Sequence, residues 1–338
     1  GILNYRYRIY TIQDMWIKKM INDNIILFWS KFDKDTDVSC EKWLAKEITI
    51  SPFHLLSLYS HIKHKHNVYL FTYQKIKSKI PNGITIKDAN DIYRSDYAFS
   101  ALSKGHSIAH ISDLVRLRVA TAITGIVIDM DAVVINTLPD LDGFFSTMPA
   151  KATGGFAPHW GKSHPPFTIH DNSWDGKALS AFPLKVHKKI IPYITELYCK
   201  ILGTLSKPPK KSTKAWNYVM WTLKEIARIE KDSKVFKPIS CCPIPAWLSS
   251  GKCYSLESPS RLNGATELFG YKLPSIDQIL NESYIVQHFF ESAFKQSKSV
   301  DKNFWLNVPN DCLVTKEAEK IFGNSNWREV LNKESNES

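Results

Sequence analysis

Short unbroken apolar runs alternate along the chain with stretches in which apolar residues recur every three or four positions. That is the pattern of buried strands separated by amphipathic helices. Ile25-Ile26-Leu27-Phe28-Trp29 is a continuous run suited to a first buried strand. Residues 30–47 are charged and loop-like, and Ser51-Pro52 then opens a helix whose face carries Phe53, Leu55, Leu56, Leu58, Tyr59 and Ile62. Val68 to Tyr73 reads as a second strand, so strand, helix and strand imply a parallel sheet. Pro81-Asn82-Gly83 predicts a turn before the short strand Ile84-Thr85-Ile86. Ser112 is placed to cap a helix bearing Leu114, Val115, Val119, Ala122 and Ile123, which Gly125 would end. The β-branched run Ile126-Val127-Ile128 follows as a strand. Further on, Pro183 to Leu205 and Lys214 to Ile229 read as helices, and Tyr284 to Phe290 as a late strand. The pattern defines an α/β chain with a mostly parallel central sheet and flanking helices.

Composition adds constraints without changing that class. At 338 residues and 43% apolar content the chain has ample material for a core. Its 44 basic and 33 acidic residues give a net charge of +11, which favours polyanionic partners such as nucleotide phosphates or an anionic lipid surface. No run approaches the roughly 20 apolar residues of a membrane-spanning helix. Tyr5 to Asn22 mixes aromatics with Arg6, Arg8, Lys18 and Lys19, as an amphipathic helix that either packs on the domain or lies on a membrane surface. The six cysteines lack metal-ligand spacing and fit reduced thiols in a cytoplasmic protein. Residues 324–338, rich in Asn, Ser, Glu and Lys, have the composition of a disordered tail.

The chemistry concentrates between residues 111 and 140. Asp129 and Asp131 stand at the C-terminal end of the Ile126-Val127-Ile128 strand, the edge at which open α/β sheets bind ligands. On a regular strand their side chains would lie about 7 Å apart on one side, and a turn there would let both address one cation. Paired carboxylates suit a hard ion such as Mg²⁺ or Mn²⁺, which takes further oxygens from water and a substrate diphosphate. Asp113 and Arg116 are three apart on the preceding helix and so share a face, where they form either a surface ion pair or a holder for sugar hydroxyls or phosphate. His61, His64 and His66 end the Ser51-Pro52 helix; they offer metal ligands, although a cationic helix C-terminus is favoured by the dipole in any case.

The strings S-D-L-V-R-L-R-V, T-G-I-V-I-D-M-D and N-T-L-P-D resemble, over about thirty residues, the core of GT-A-fold glycosyltransferases with a D-x-D sugar-binding region. That group includes capsule and lipopolysaccharide transferases and α-galactosyl and α-mannosyl transferases, with the clostridial glucosylating toxins more distant. The resemblance implies a GT-A, Rossmann-like nucleotide-sugar-binding fold and a retaining, metal-dependent transfer of a sugar. The donor would be a nucleotide sugar, with UDP as the nucleoside diphosphate by analogy, and the acceptor a hydroxyl of a glycan or lipid-linked glycan in surface polysaccharide synthesis. It further implies that Asp113 and Arg116 hold the donor sugar, that Asp129 and Asp131 bind Mn²⁺ or Mg²⁺ and the diphosphate, that Trp29 stacks on the base, and that His288 completes the metal shell. Two departures stand out: Thr124-Gly125 replaces a glycine pair, and Val127 stands where an aromatic is usual.

On this reading residues 1–24 form the amphipathic segment, 25–145 the nucleotide-sugar half, 146–323 a helical and loop-rich acceptor half, and 324–338 the tail. The Gly-, Pro-, His- and Trp-rich stretch 151–176 is where acceptor contacts are expected, with Asn172 and Asp175 as candidates for sugar hydroxyls. Peripheral contact with an anionic membrane is a further expectation, and nucleic acid is not an expected partner. The expected location is the cytoplasm, or the Golgi lumen if an N-terminal anchor has been removed. Two alternatives remain open. I-V-I-D-M-D also resembles the first motif of haloacid-dehalogenase-type phosphatases, in which Asp129 would be the nucleophile, and the scaffold could serve a non-catalytic glycan binder.

Overall fold

The computed structural model describes residues 24–149, 177–209, 230–244, 273–288, 307–323 and 326–336, with residues 223, 226–227, 256 and 258–259 between them. The expected segment 1–24 and the loop 151–176 therefore lie outside the described residues, save Asn24. Nine strands are described: β1 (Asn24–Phe28), β2 (Asn67–Thr72), β3 (Ile84–Asp88), β4 (Gly125–Val127), β5 (Ala132–Val134), β6 (Phe144–Pro149), β7 (Lys177–Lys185), β8 (Lys234–Val235) and β9 (Ile285–Gln287). The helices that matter to the site are α1 (Cys40–Ala45), α2 (Pro52–Lys63), α3 (Ser95–Ser103), α4 (Ile108–Ala122), α5 (Ile191–Leu205), α6 (Ile276–Glu282), α7 (Leu313–Phe322) and α8 (Trp327–Asn336).

Seven strands form one sheet in the order β3-β2-β1-β4-β7-β6-β8, and β5 pairs with β9 in a second. The β3-β2-β1-β4 half is parallel throughout, and β7 runs against both its neighbours. The sheet is thus the mostly parallel, helix-flanked α/β sheet expected of a GT-A-like architecture. β1 lies inside it, between β2 and β4, as suits a strand whose five residues are all buried. Side chains alternate across it: Ile25, Leu27, Ile126 and Ile128 join a core with α2, α7 and α8, while Ile26, Phe28 and Val127 join one with α4 and α5.

Four predicted elements differ from the structure. The stretch 30–47, read as loop, carries α1, capped by Ser39 and held by the buried Trp43. The helix read from Ser112 begins a turn earlier, because the Ser107 hydroxyl accepts from Ala109 N–H and leaves Ser112 inside α4. Pro183 is in strand β7, not in a helix: Phe182, Leu184 and Val186 are buried at every second position against the α4–α5 core, and α5 starts at Ile191. The tail read as disordered carries α8, since Trp327 and Leu331, four apart, are buried against the α2 side of the sheet. There the Tyr59 hydroxyl donates to Glu334 and Ser335 donates to the Ile50 carbonyl. Among the described residues no helix is long and apolar enough to cross a membrane, and Cys40, Cys199, Cys241, Cys242 and Cys312 carry no disulfide.

Candidate functional site

The chain leaves the main sheet after Val127 and enters the small one at Ala132, and the two aspartates stand at this crossing. Gly125 allows β4 to lie close against β1, because a Cβ there would come within 2.8 Å of the Asn24 carbonyl. After Ile128 the backbone turns, with Ala132 N–H donating to the Asp129 carbonyl at 3.2 Å. Asp129 and Asp131 are thereby held in a turn instead of on a regular strand. β5 is fixed on one edge by β9 and on the other by two serines of α2: Ser57 donates to the Ala132 carbonyl at 2.5 Å and Ser60 accepts from Val134 N–H at 2.9 Å.

Arg116 ties α4 to this turn. Its Nη1 donates to the Ile128 carbonyl at 2.6 Å and to Asp129 Oδ1 at 2.7 Å, its Nη2 donates to Asp113 Oδ1 at 3.0 Å, and its Nε reaches the Ser112 carbonyl at 3.4 Å. The guanidinium also lies 4.3 Å from the Phe182 ring centroid. Arg116 and Asp113 are both buried, whereas the Asp129 side chain is 34% exposed. Burial pushes the Asp113 carboxyl up to about 7; Arg116 opposes the shift and the Asp129 charge adds to it. One cation therefore serves two carboxylates, of which the outward one is Asp129. Most of the guanidinium's hydrogens are engaged by protein acceptors, so Arg116 is first of all the strut that aims Asp129.

Asp131 is almost buried, and its Oδ1 accepts from the Gln287 side-chain amide. Its own carbonyl accepts from His288 N–H at 3.0 Å. The His288 ring turns elsewhere: Nε2 lies 2.7 Å from Glu317 Oε2 on α7, with both side chains fully buried. Burial holds the Glu317 carboxyl above its ordinary range, against the pull of His288. The expected three-ligand set is consequently corrected. Asp129, Asp131 and His288 do not form a metal-holding cluster, and no group of three His, Cys, Asp or Glu side chains among the described residues does. The same holds for the α2 histidines, where His61 Nδ1 and His66 Nδ1 are 3.2 Å apart and burial keeps the His61 ring neutral.

Trp29 follows β1 at the same edge. Its Nε1 donates to the Thr49 carbonyl at 3.1 Å, its ring packs at 4.4 Å on His54, and Lys31 Nζ lies 5.6 Å from its centroid. His54 is buried, which with the nearby Lys31 charge lowers its pKa to about 3 and keeps it a neutral shelf for the indole. Asn172 and Asp175 lie outside the described residues. Gln287 and Glu317 were missed by the sequence reading, which passed over the first for its neighbour His288; Glu317 lies in a strongly charged stretch, T-K-E-A-E-K, that gives no hint of burial.

The oxygen donors present are of the kind a hard cation takes. Two carboxylates in one turn, one of them a third exposed, leave most of a six-coordinate shell to water and substrate, as Mg²⁺ and Mn²⁺ sites commonly do.

The fold and this turn define an α/β protein with an arginine-braced acidic pair at the carboxyl edge of its parallel strands. No family model matches the chain, and no curated protein does. Among solved structures it is similar to one titled PaToxG Glycosyltransferase, at 14% identity and a TM-score of 0.38, over 98% of this chain and 94% of that one. A likeness that remote does not carry residues or chemistry across.

Proposed function

We propose that the protein is a metal-dependent glycosyltransferase that moves a sugar from a nucleoside diphosphate, UDP by family resemblance, to a hydroxyl of a glycan or lipid-linked glycan, with retention of configuration. The observation that carries this reading is the Asp113–Arg116–Asp129 bridge, which joins the helix and the acidic turn that the GT-A resemblance pairs. Asp129 and Asp131 would hold Mn²⁺ or Mg²⁺, which would neutralise charge developing on the departing diphosphate. Asp113 and Arg116 line the inner side of that turn, where the donor sugar is expected. Trp29, braced by His54, offers an indole face at the sheet edge for the nucleotide base.

The test is a screen of nucleotide sugars for hydrolysis and thermal shift, with and without Mn²⁺, on the wild type and Asp131→Ala. Metal-dependent hydrolysis of one nucleotide sugar, abolished by Asp131→Ala in a protein that still folds, is the expected result. Phosphate release from simple esters without nucleotide, or full activity in the variant, would replace this reading with the phosphatase or remove the metal platform.

A further inference from the structure

We infer that Gln287 is the positioning residue of the acidic pair: its amide sets the orientation of the Asp131 carboxylate toward the cation. The inference rests on the reading above. A carboxylate only accepts hydrogen bonds, so the amide nitrogen of Gln287 must face Asp131 Oδ1 and its oxygen must point away. That oxygen, Oε1, is buried and has no hydrogen-bond partner among the described residues. A buried amide left half unsatisfied is destabilising, so the core alone would be better served by an apolar side chain of the same shape.

What the arrangement achieves is direction. Fixing Oδ1 fixes the plane of the carboxylate and hence the line along which Oδ2 presents itself, in the way that groups behind metal ligands orient them elsewhere. The register of the small sheet makes this dependable. Gln287 lies opposite Ala132, the residue after Asp131, and His288 N–H holds the Asp131 carbonyl. Side chain and main chain of Asp131 are therefore gripped by two consecutive residues, the last of β9 and the one that follows it. That strand is in turn anchored to α7 by the buried His288–Glu317 contact. Asp129 is aimed by Arg116 from α4 and Asp131 by Gln287 from β9, so the two acids take their orientation from opposite sides.

The test is Mn²⁺ binding in the presence of UDP, read from the loss of the free-ion electron paramagnetic resonance signal, on wild type, Gln287→Met, Asp131→Asn and the double variant, with thermal unfolding alongside. Gln287→Met is expected to weaken Mn²⁺ about tenfold, in the range seen when groups behind a ligand are removed, and to raise the Mn²⁺ requirement for turnover. In the double variant the two losses should fail to add, because Gln287 acts through Asp131. Wild-type affinity in a folded Gln287→Met protein, or full additivity, would overturn the inference alone. Absence of Mn²⁺ binding by the wild type would overturn the metal reading and this inference together. Gln287→Asn, which withdraws the amide by one methylene, repeats the comparison if the methionine variant does not fold; failure of both to fold would assign Gln287 to the core and overturn the positioning role.

Discussion

At the scale of single residues the site depends on how one buried guanidinium is shared. Removing it strands Asp113, which is almost fully buried, because the other arginine of the helix, Arg118, is turned to the Tyr198 hydroxyl instead. Breaking a buried pair from one side costs about 3–5 kcal/mol, so Arg116→Ala should lower stability by that order as well as abolish turnover. Urea denaturation of the variant measures it; a loss of activity with unchanged stability would mean that Arg116 serves the substrate and not the fold. Asp113 gives the pH counterpart. Its folded pKa, about 7, is raised above the 3.8 of an ordinary aspartate, so the folded state holds the proton longer than the unfolded state does. The stabilisation is complete below pH 3.8 and is lost as pH rises toward 7. Asp113→Asn should flatten that decline in urea midpoint between pH 4 and 7, and an unchanged slope would show that the group does not titrate there.

At the scale of elements, the helix least evident from composition is one that braces the site from behind. α8 packs Trp327 and Leu331 into the core that also contains β5 and β9, and its Glu334 and Ser335 hydrogen-bond to Tyr59 and to the Ile50 carbonyl. Trp327 is 2% exposed, and truncating a buried aromatic of this size costs about 3–5 kcal/mol. Trp327→Ala is therefore expected to lower the urea midpoint strongly, and a shift within experimental error would return residues 326–336 to the status of a tail. β7 carries the same lesson: a proline followed by apolar residues suggests a helix start, but the alternation of Phe182, Leu184 and Val186 prevails because β4 and β6 each offer it an antiparallel partner.

At the scale of the whole molecule, two layers of helices clamp one sheet, and the acidic turn lies where that sheet hands the chain to a smaller one. The net charge of +11 surrounds a site whose own residues are mainly acidic; a cation at the turn would convert it into a receptor for diphosphate, in keeping with the charge of the rest. The sequence by itself determined the strands β1, β2 and β4, the helix between the first two, and the placement of Asp129 and Asp131 at a strand end with Asp113 and Arg116 on one face. Each of these is written within a dozen neighbouring positions, as an unbroken apolar run or a helical spacing. Only the tertiary structure decided that Gln287 meets Asp131 across 156 positions, that His288 turns to Glu317 and away from the acids, and that Glu334 reaches Tyr59 across 275. Contacts between segments so far apart leave no local periodicity, and a buried glutamate or glutamine looks in sequence like a solvated one until its partner is folded against it.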